Sequence, residues 1–261
     1  MTDLAQRLWQ ARQSGAVIDQ QSVNQPATMD EAYAVQWQIA ALSGQTIRGF
    51  KIGSTSLQAQ QLLGTDQPGS GPLLAAFVHD SPAIVALAPD QMPAVEAEFA
   101  YRLARDLPAK ATAYTRAEVV DALDALAPAI EVVGSRFAGG LAGKGRLRIT
   151  ADGGANIAFI AGQWHRANPG RDLRQHAVSM RINGMTHGQG TGSRVLGNPL
   201  DALVWLAEQQ SRAGRGLFAG EIVSTGTCTG VDRVHPGDRV TADFGDLGTV
   251  EMECARALLA S

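Results

Sequence analysis

The chain has 261 residues, of which 45% are hydrophobic and 18% charged, a composition typical of a soluble globular protein with a substantial core. Its formal net charge of −3 provides no broad basic surface, which argues against nucleic acid as a partner. We expect no membrane span, because no stretch of about 18 apolar residues occurs, and no signal peptide. Cys228 and Cys254 are too few for a disulfide framework, which favours reduced thiols in a cytoplasmic protein.

The first third of the chain is predicted to be mainly helical. A first helix ends at Gly15, where glycine is a common stop. Thr28 and Glu31 have the spacing of a capping box and open a second helix that ends at Gly44. The segments predicted next are a strand over 46–55, a short helix over 56–64 and a loop over 65–93.

The rest of the chain is predicted to be mostly β structure with two inserted helices. Thr115 and Glu118 form a second capping box, Asn183-Gly184 is a strong hairpin signal, and Asn198 precedes a helix. The predicted elements are a strand over 94–103, a helix over 115–127, a strand over 128–137, an irregular segment over 139–156, a hairpin around 183–184, a helix over 198–214 and three closing strands. This order of elements predicts an α+β fold.

Two glutamates interrupt an apolar strand in a way that suggests a metal site. Glu96 and Glu98 are two positions apart, so on a strand both carboxylates point to one face. There they repel each other unless a cation neutralises them. Glu131 interrupts a second apolar strand, and three converging carboxylates suit Mg²⁺ or Mn²⁺. The alternative is that Glu96 and Glu98 face solvent on an amphipathic strand.

Lys51 is a further candidate, because its neighbours Phe50 and Ile52 favour burial. Near a metal, it could bind a substrate carboxylate or stabilise an enolate. The alternative is a strand lysine that extends to solvent, and Arg136 has the same two interpretations. Residues 225–227, with the sequence TGT, end a strand and either offer donors to a substrate carboxylate or form a plain turn.

Six segments in order, from about residue 45 to residue 252, resemble a known family. They are GFKIGSTS with QQLLGTDQPGSG, VEAEFAYRLARDLP, PAIEVVGSR, VLGNPLDALVWLAE, GEIVSTGT and PGDRVTADFGDLGTV. Together they are similar to the 2-oxopent-4-enoate hydratase branch of the fumarylacetoacetate hydrolase superfamily, which also contains 4-oxalocrotonate decarboxylases. The resemblance implies a mixed β-roll with a helical N-terminal portion. We place that portion at residues 1–70 and the catalytic β-roll at residues 71–261.

The resemblance also implies a site. The family's Mg²⁺ or Mn²⁺ ligands fall on Glu96, Glu98 and Glu131, and its active-site lysine falls on Lys51. The further assignments are catalytic roles for Asp152 and Arg136 and substrate contacts for Ser54, Thr225 and Gly226.

The activity implied is that of a lyase that hydrates a short 2-hydroxydienoate or 2-oxo acid in aromatic catabolism. The enzymatic alternatives are a 2-oxo-diacid decarboxylase and an acylpyruvate-type hydrolase. A homo-oligomer is expected from the resemblance. A different class of function is a catalytically weak subunit that stabilises a decarboxylase partner.

The chain departs from the family pattern at three positions. Relatives commonly carry an acid where this chain has Ala76, and asparagine and serine where it has Gly153 and Ala155. These differences leave the predicted metal ligands intact, but they leave the proton-transfer groups and the substrate open. Asp80, His79 or Asn156 could substitute.

Overall fold

A computed structural model describes residues 2–63, 65–168 and 170–257. The helices are α1 (Thr2–Ser14), α2 (Met29–Ser43), α3 (Leu57–Leu63), α4 (Arg116–Asp121), α5 (Gly145–Ala151) and α6 (Pro199–Arg212). The strands are β1 (Ile47–Gly53), β2 (Gly69–Leu74), β3 (Val78–Asp80), β4 (Ala83–Leu87), β5 (Ala94–Leu103), β6 (Leu123–Val133), β7 (Asn156–Ala161), β8 (His165–Arg166), β9 (Ala177–Ile182), β10 (Met185–Thr191), β11 (Ile222–Thr227), β12 (Asp232–Arg233), β13 (Arg239–Asp243) and β14 (Thr249–Arg256).

The strands form two sheets of mixed direction. The larger sheet has nine strands in the order β2-β1-β11-β5-β6-β7-β3, with β12 also paired to β5 and β8 to β6. The smaller sheet has the order β10-β9-β13-β14-β4. The predicted α+β fold is therefore confirmed.

Alternation along β5 divides the residues between two environments. Val95 and Phe99 pack in the main core between the two sheets, together with Met180 of β9 and Met252 of β14. Glu96 and Glu98, at the alternate positions, point to the opposite face of the large sheet. On that side, α1 and α2 bury a separate apolar cluster against Phe137. The functional candidates lie on this second face, between the sheet and the helices.

Local signals in the sequence place most of the helix and hairpin ends correctly. The Thr28 side chain accepts a hydrogen bond from the Glu31 N–H at the start of α2, and Gly44 ends that helix with a φ of 63°. Asn198 caps α6. Asn183 and Gly184 both have positive φ in the turn between β9 and β10, as the predicted hairpin requires.

The predicted loop over 65–93 is wrong, because it contains β2, β3 and β4. Glycine and proline have a different role here from turn formation. A Cβ at Gly71 would lie 2.2 Å from the carbonyl oxygen of Gly153, so glycine permits a close backbone approach. Pro72 is tolerated because β2 is an edge strand of the large sheet.

Three further segments differ from the prediction. The helix expected over 115–127 ends at Asp121, and β6 begins at Leu123 rather than at 128 and ends at Val133. Pairing of β6 along β5 overrides the helical preference of this alanine-rich segment. The segment expected to be irregular contains α5 and the first residue of β7.

The predicted division between residues 70 and 71 stays a prediction. β1 belongs to the first 70 residues, and it pairs with both β2 and β11 of the large sheet. In the described ranges, none of the helices combines the length and the apolar character needed to cross a membrane.

Candidate metal centre

Three glutamates from adjacent strands converge on the second face of the large sheet. Glu96 and Glu98 lie on β5, and the strand register places Glu96 opposite Glu131 of β6. One carboxylate oxygen from each residue lies within 4.8 Å of the others. Glu98 and Glu131 are fully buried, and Glu96 is half-buried. The alternative in which the pair simply faces solvent is therefore wrong for Glu98.

Lys51 reaches this cluster from β1. It is 3% exposed, and its Nζ lies 3.0 Å from Oε2 of Glu131. The same Nζ donates a hydrogen bond of 3.1 Å to the carbonyl oxygen of Gly154. The alternative of a lysine that extends to solvent is excluded by this burial. If all three glutamates are ionised, Lys51 offsets one negative charge, and a divalent cation would offset the other two.

The donor set fits a hard divalent cation. Oε1 of Glu98 is buried and has no hydrogen-bond partner among the described residues. Oε2 of Glu131 also accepts no hydrogen bond among the described residues, and the ion-pair partner that the structure gives it is Lys51 at 3.0 Å. Buried anionic oxygens without partners are costly. Carboxylate oxygens are the ligands that Mg²⁺ and Mn²⁺ prefer.

The pKa values of the cluster respond to burial and to mutual repulsion. Burial raises the pKa of Glu96 to about 7, with Lys51 opposing this shift and Glu131 adding to it. Burial, then Glu131 and Glu96, raise the pKa of Glu98 well above its ordinary value. For Lys51, burial is the largest effect and lowers the pKa, but the three glutamates outweigh it and the pKa is raised. Lys51 is therefore a cation and a donor at neutral pH.

Two groups of β11 hold Glu98 in place. Its Oε2 accepts hydrogen bonds from the Ser224 hydroxyl and from the Gly226 N–H, the latter at 2.9 Å. The Thr225 hydroxyl donates instead to the Phe99 carbonyl at 2.8 Å. The Thr225 hydroxyl and the Gly226 N–H are thus used within the protein, and the predicted substrate contacts of these two residues stay predictions. Both residues belong to the scaffold around Glu98.

Asp152 and Arg136 pair with each other, and their predicted catalytic roles stay predictions. Both are buried, and Arg136 donates to Asp152 through its Nε and, at 2.9 Å, through its backbone N–H. Burial raises the pKa of Asp152, and Arg136 opposes that shift. Arg136 also donates to the carbonyl oxygen of Asn156 at 2.9 Å. Their hydrogen bonds thus reach the cluster through Asn156 and not directly.

Asn156 is one of the three residues that the sequence offered as substitutes for the side chains missing from the family pattern. Its Nδ2 donates to Oε1 of Glu131 at 2.9 Å. His79 and Asp80, the other two substitutes, lie on β3 at the edge of the sheet. Ala76, where an acid was expected, is exposed, and its N–H donates to Oε1 of Gln45.

A small cleft borders Lys51, and we call it the Lys51 cleft. Gly53, Ser54, Arg146 and Gly154 are among the residues that line it. A Cβ at Gly53 would lie 3.3 Å from Nζ of Lys51, so the ammonium lies next to two glycines that line the cleft, Gly53 and Gly154. The predicted substrate contact of Ser54 is compatible with this position and stays a prediction. The sequence analysis did not single out Arg146, because a lone arginine in a glycine-rich segment carries no motif.

Comparisons with known proteins agree with the resemblance seen in the sequence. Residues 63–254 match the family model described as "Fumarylacetoacetate (FAA) hydrolase C-terminal". A 2-keto-4-pentenoate hydratase of Paraburkholderia xenovorans (strain LB400) is 34% identical over 258 residues, which cover 96% of this chain and 93% of that protein. A 2-hydroxyhexa-2,4-dienoate hydratase of Comamonas testosteroni is 31% identical over 257 residues, covering 95% of each.

A solved structure shares the fold over almost the whole chain. It is the 4-oxalocrotonate decarboxylase from Pseudomonas putida G7, complexed with magnesium and adipate. The TM-score is 0.87 at 29% sequence identity, covering 97% of this chain and 96% of that one. The β-roll architecture with N-terminal helices, expected from the resemblance, is confirmed.

Proposed function

Because this chain belongs to the fumarylacetoacetate hydrolase family, we propose that it is a metal-dependent hydro-lyase. Its substrate is a short 2-hydroxydienoate or 2-oxoenoate from aromatic catabolism, such as 2-hydroxypenta-2,4-dienoate. The relatives named 2-keto-4-pentenoate hydratase and 2-hydroxyhexa-2,4-dienoate hydratase support this substrate class. The product of the pentadienoate is 4-hydroxy-2-oxopentanoate.

One observation carries the proposal: three glutamates and one lysine share a largely buried face, and two glutamate oxygens there accept no hydrogen bond in the described structure. Glu96, Glu98 and Glu131 would hold Mg²⁺ or Mn²⁺, which when bound supplies Lewis-acid chemistry for a 2-oxo acid. A merely structural ion pair would need one acid beside Lys51, not three.

The reaction balances without any co-reactant other than water. The enol proton of 2-hydroxypenta-2,4-dienoate is lost and a proton is gained at C5, which gives 2-oxopent-3-enoate. The oxygen of water then bonds to C4, and the proton is delivered to C3, which gives 4-hydroxy-2-oxopentanoate.

The chain's own residues would bind and orient the substrate. Lys51 is cationic and lies next to the glycines that line the cleft, so it donates to the carboxylate or to the C2 oxygen as negative charge develops there. Arg146 lines the same cleft and attracts an anionic substrate. Ser54 lies beside them and offers a hydroxyl. Because the pKa of Lys51 is raised, it acts as a donor and not as the base.

A 2-oxo-diacid decarboxylase is the second candidate, and the fold similarity to 4-oxalocrotonate decarboxylase favours it. The acylpyruvate-type hydrolase alternative has less support. In the described ranges, no histidine joins the carboxylate cluster, and His165 and His176 are hydrogen-bonded to main-chain carbonyls elsewhere.

Proton NMR in D₂O with purified protein, Mg²⁺ and 2-hydroxypenta-2,4-dienoate tests the proposal. We expect the signals of 4-hydroxy-2-oxopentanoate to appear, and to disappear in the Glu98→Gln variant. The exposed Glu253 provides a matched control, because Glu253→Gln makes the same chemical change on β14. Conversion of 2-oxohex-3-enedioate with release of CO₂, and no hydration of the dienoate, would select the decarboxylase instead.

The assembly and location of the protein are part of the same proposal. A homo-oligomer is expected, and sedimentation velocity at several concentrations tests it. The two cysteines are free and buried, which is compatible with a cytoplasmic location. A folded protein that binds no Mn²⁺ and converts neither substrate would favour the catalytically weak subunit of a decarboxylase.

A further inference from the structure

We propose that Asn156 is a positioning residue that orients Glu131 toward the cation, and that Arg12 of the N-terminal helix α1 fixes Asn156 in turn. The inference rests on the proposed function, because it takes Glu131 as a metal ligand. It adds two residues that act on the site through another side chain.

The two oxygens of Glu131 have different neighbours. Oε1 accepts the 2.9 Å hydrogen bond from Nδ2 of Asn156, and Oε2 lies 3.0 Å from Nζ of Lys51. Asn156 is 1% exposed and Glu131 is fully buried, so water does not compete for this contact. The bond to Asn156 therefore sets the rotation of the carboxylate and keeps Oε2 on the side of the cluster.

Arg12 determines which end of the Asn156 amide faces Glu131. The Arg12 guanidinium donates to the backbone carbonyl of Asn156, to its Oδ1 at 3.3 Å and to the carbonyl of Ile157 at 2.9 Å. A guanidinium can only donate, and an ionised carboxylate can only accept. A single amide orientation satisfies both neighbours, with Oδ1 toward Arg12 and Nδ2 toward Glu131.

The backbone before Asn156 is held in an uncommon conformation that serves the same end. Gly153, Gly154 and Ala155 have φ values of 65°, 67° and 66°. For Ala155, this left-handed region costs on the order of 1 kcal/mol or more. The surrounding contacts maintain it: the Gly154 carbonyl accepts from Lys51, and the Ala155 carbonyl accepts from the Gly134 N–H at 2.9 Å. One short loop thus supplies a partner to both Lys51 and Glu131.

The test measures Mn²⁺ affinity by electron paramagnetic resonance on the purified full-length protein. Asn156→Leu keeps a similar volume and removes the donor, and we expect the dissociation constant to rise about 10- to 100-fold, as for other outer-sphere partners. Asn198→Ala is the matched control, since this other buried asparagine caps α6. It should lower the melting temperature and leave Mn²⁺ affinity unchanged.

Arg12→Lys tests the second part of the proposal and keeps the inference testable if Asn156→Leu does not fold. Arg12 donates from two nitrogen positions, Nη1 and Nη2, and the single nitrogen of a shorter lysine cannot occupy both. We therefore expect a smaller loss of Mn²⁺ affinity than in Asn156→Leu. Arg7→Lys on the same helix is the control, because Arg7 bonds to Ser22 and not to Asn156. Equal affinities for Arg12→Lys and Arg7→Lys would overturn the role of Arg12.

Two further variants separate this inference from the proposed function. If Glu96→Gln and Glu98→Gln weaken Mn²⁺ binding while Asn156→Leu retains wild-type affinity, the positioning role is wrong and the metal site stands. A loss in Asn156→Leu that Asn198→Ala reproduces would also overturn it. If neither glutamate variant changes Mn²⁺ binding, the metal site itself is wrong, and the positioning role falls with it.

Discussion

Nζ of Lys51 lies 3.0 Å from Oε2 of Glu131 although β11 and β5 separate their strands in the sheet. With neighbouring strands about 4.8 Å apart, a flat sheet would hold the two backbones roughly 14 Å or more apart. Side chains stand roughly perpendicular to a flat sheet, so a lysine and a glutamate could not bridge that separation, and the sheet curls around this face. The curl gathers side chains from several strands into one buried, highly charged volume.

Lys51→Met should separate catalysis from metal binding. Removal of the ammonium takes away the proposed donor to the substrate, so kcat/KM should fall about 100-fold or more. Mn²⁺ should still bind, because the three carboxylates remain. Without metal, the variant should be less stable by about 3–5 kcal/mol, since a buried ion pair loses one partner.

Steady-state kinetics, and urea unfolding with and without Mg²⁺, check this prediction. Lys110→Met is the control, because Lys110 pairs with Glu118 at the surface and should leave both quantities nearly unchanged. An active Lys51→Met enzyme would remove Lys51 from the mechanism.

Glu98→Gln should have opposite effects on the metal-free and metal-bound proteins. Glutamine preserves acceptance from Ser224 and Gly226 and removes an anionic oxygen that has no partner in the described structure. The metal-free protein should gain about 1–3 kcal/mol of stability. The stabilisation that added Mn²⁺ gives the wild type should largely vanish. Thermal unfolding in chelator and in excess Mn²⁺ measures both, and a variant stabilised by Mn²⁺ as strongly as the wild type would contradict the assignment.

Gly71→Ala should disturb the loop that contacts Lys51. The new methyl group would lie 2.2 Å from the carbonyl oxygen of Gly153, which is backbone and cannot rotate away. We expect a loss of about 1–3 kcal/mol of stability from overpacking, together with reduced kcat. Gly69→Ala in the same strand is the control, because its methyl group would meet the Thr150 hydroxyl at an ordinary 3.8 Å. Chemical denaturation of both variants tests the difference. Equal free energies of unfolding would show that the loop at Gly153 shifts at little cost in free energy.

Arg146→Gln should weaken substrate binding without slowing the chemical steps. Arg146 lines the Lys51 cleft, and none of the ion pairs in the described structure involves it. We expect KM to rise about fivefold with kcat nearly constant, as for loss of roughly 1 kcal/mol from a partly exposed ion pair. Arg181→Gln, an exposed position on β9, provides the control. Equal KM values for the two variants would show that Arg146 does not contribute to substrate binding.

Local chemistry in the sequence was enough to predict many elements and the central acids. Caps such as Thr28 and Asn198 and the Asn183-Gly184 turn involve residues within a few positions of each other, so their hydrogen bonds can be anticipated from spacing. Glu96 and Glu98 are only two positions apart, so their common face on a strand could also be predicted from spacing alone. The β2 strand was missed because its segment is rich in glycine and proline, as loops are. In this strand the glycine instead permits close packing.

The partners of these acids depended on how distant segments pack. Asn156 and Glu131 are 25 positions apart, and Arg12 and Asn156 are 144 apart, so no local pattern relates them. The TGT segment suggested Thr225 as a donor, and the family resemblance suggested Asp152 as a catalytic residue. In the folded chain, the Thr225 hydroxyl donates to the Phe99 carbonyl and Asp152 accepts from Arg136. A side chain's periodicity predicts the face on which it lies. Which hydrogen-bond partner it meets depends on the strand order and the curl of the sheet, because these bring residues far apart in the chain within hydrogen-bonding distance.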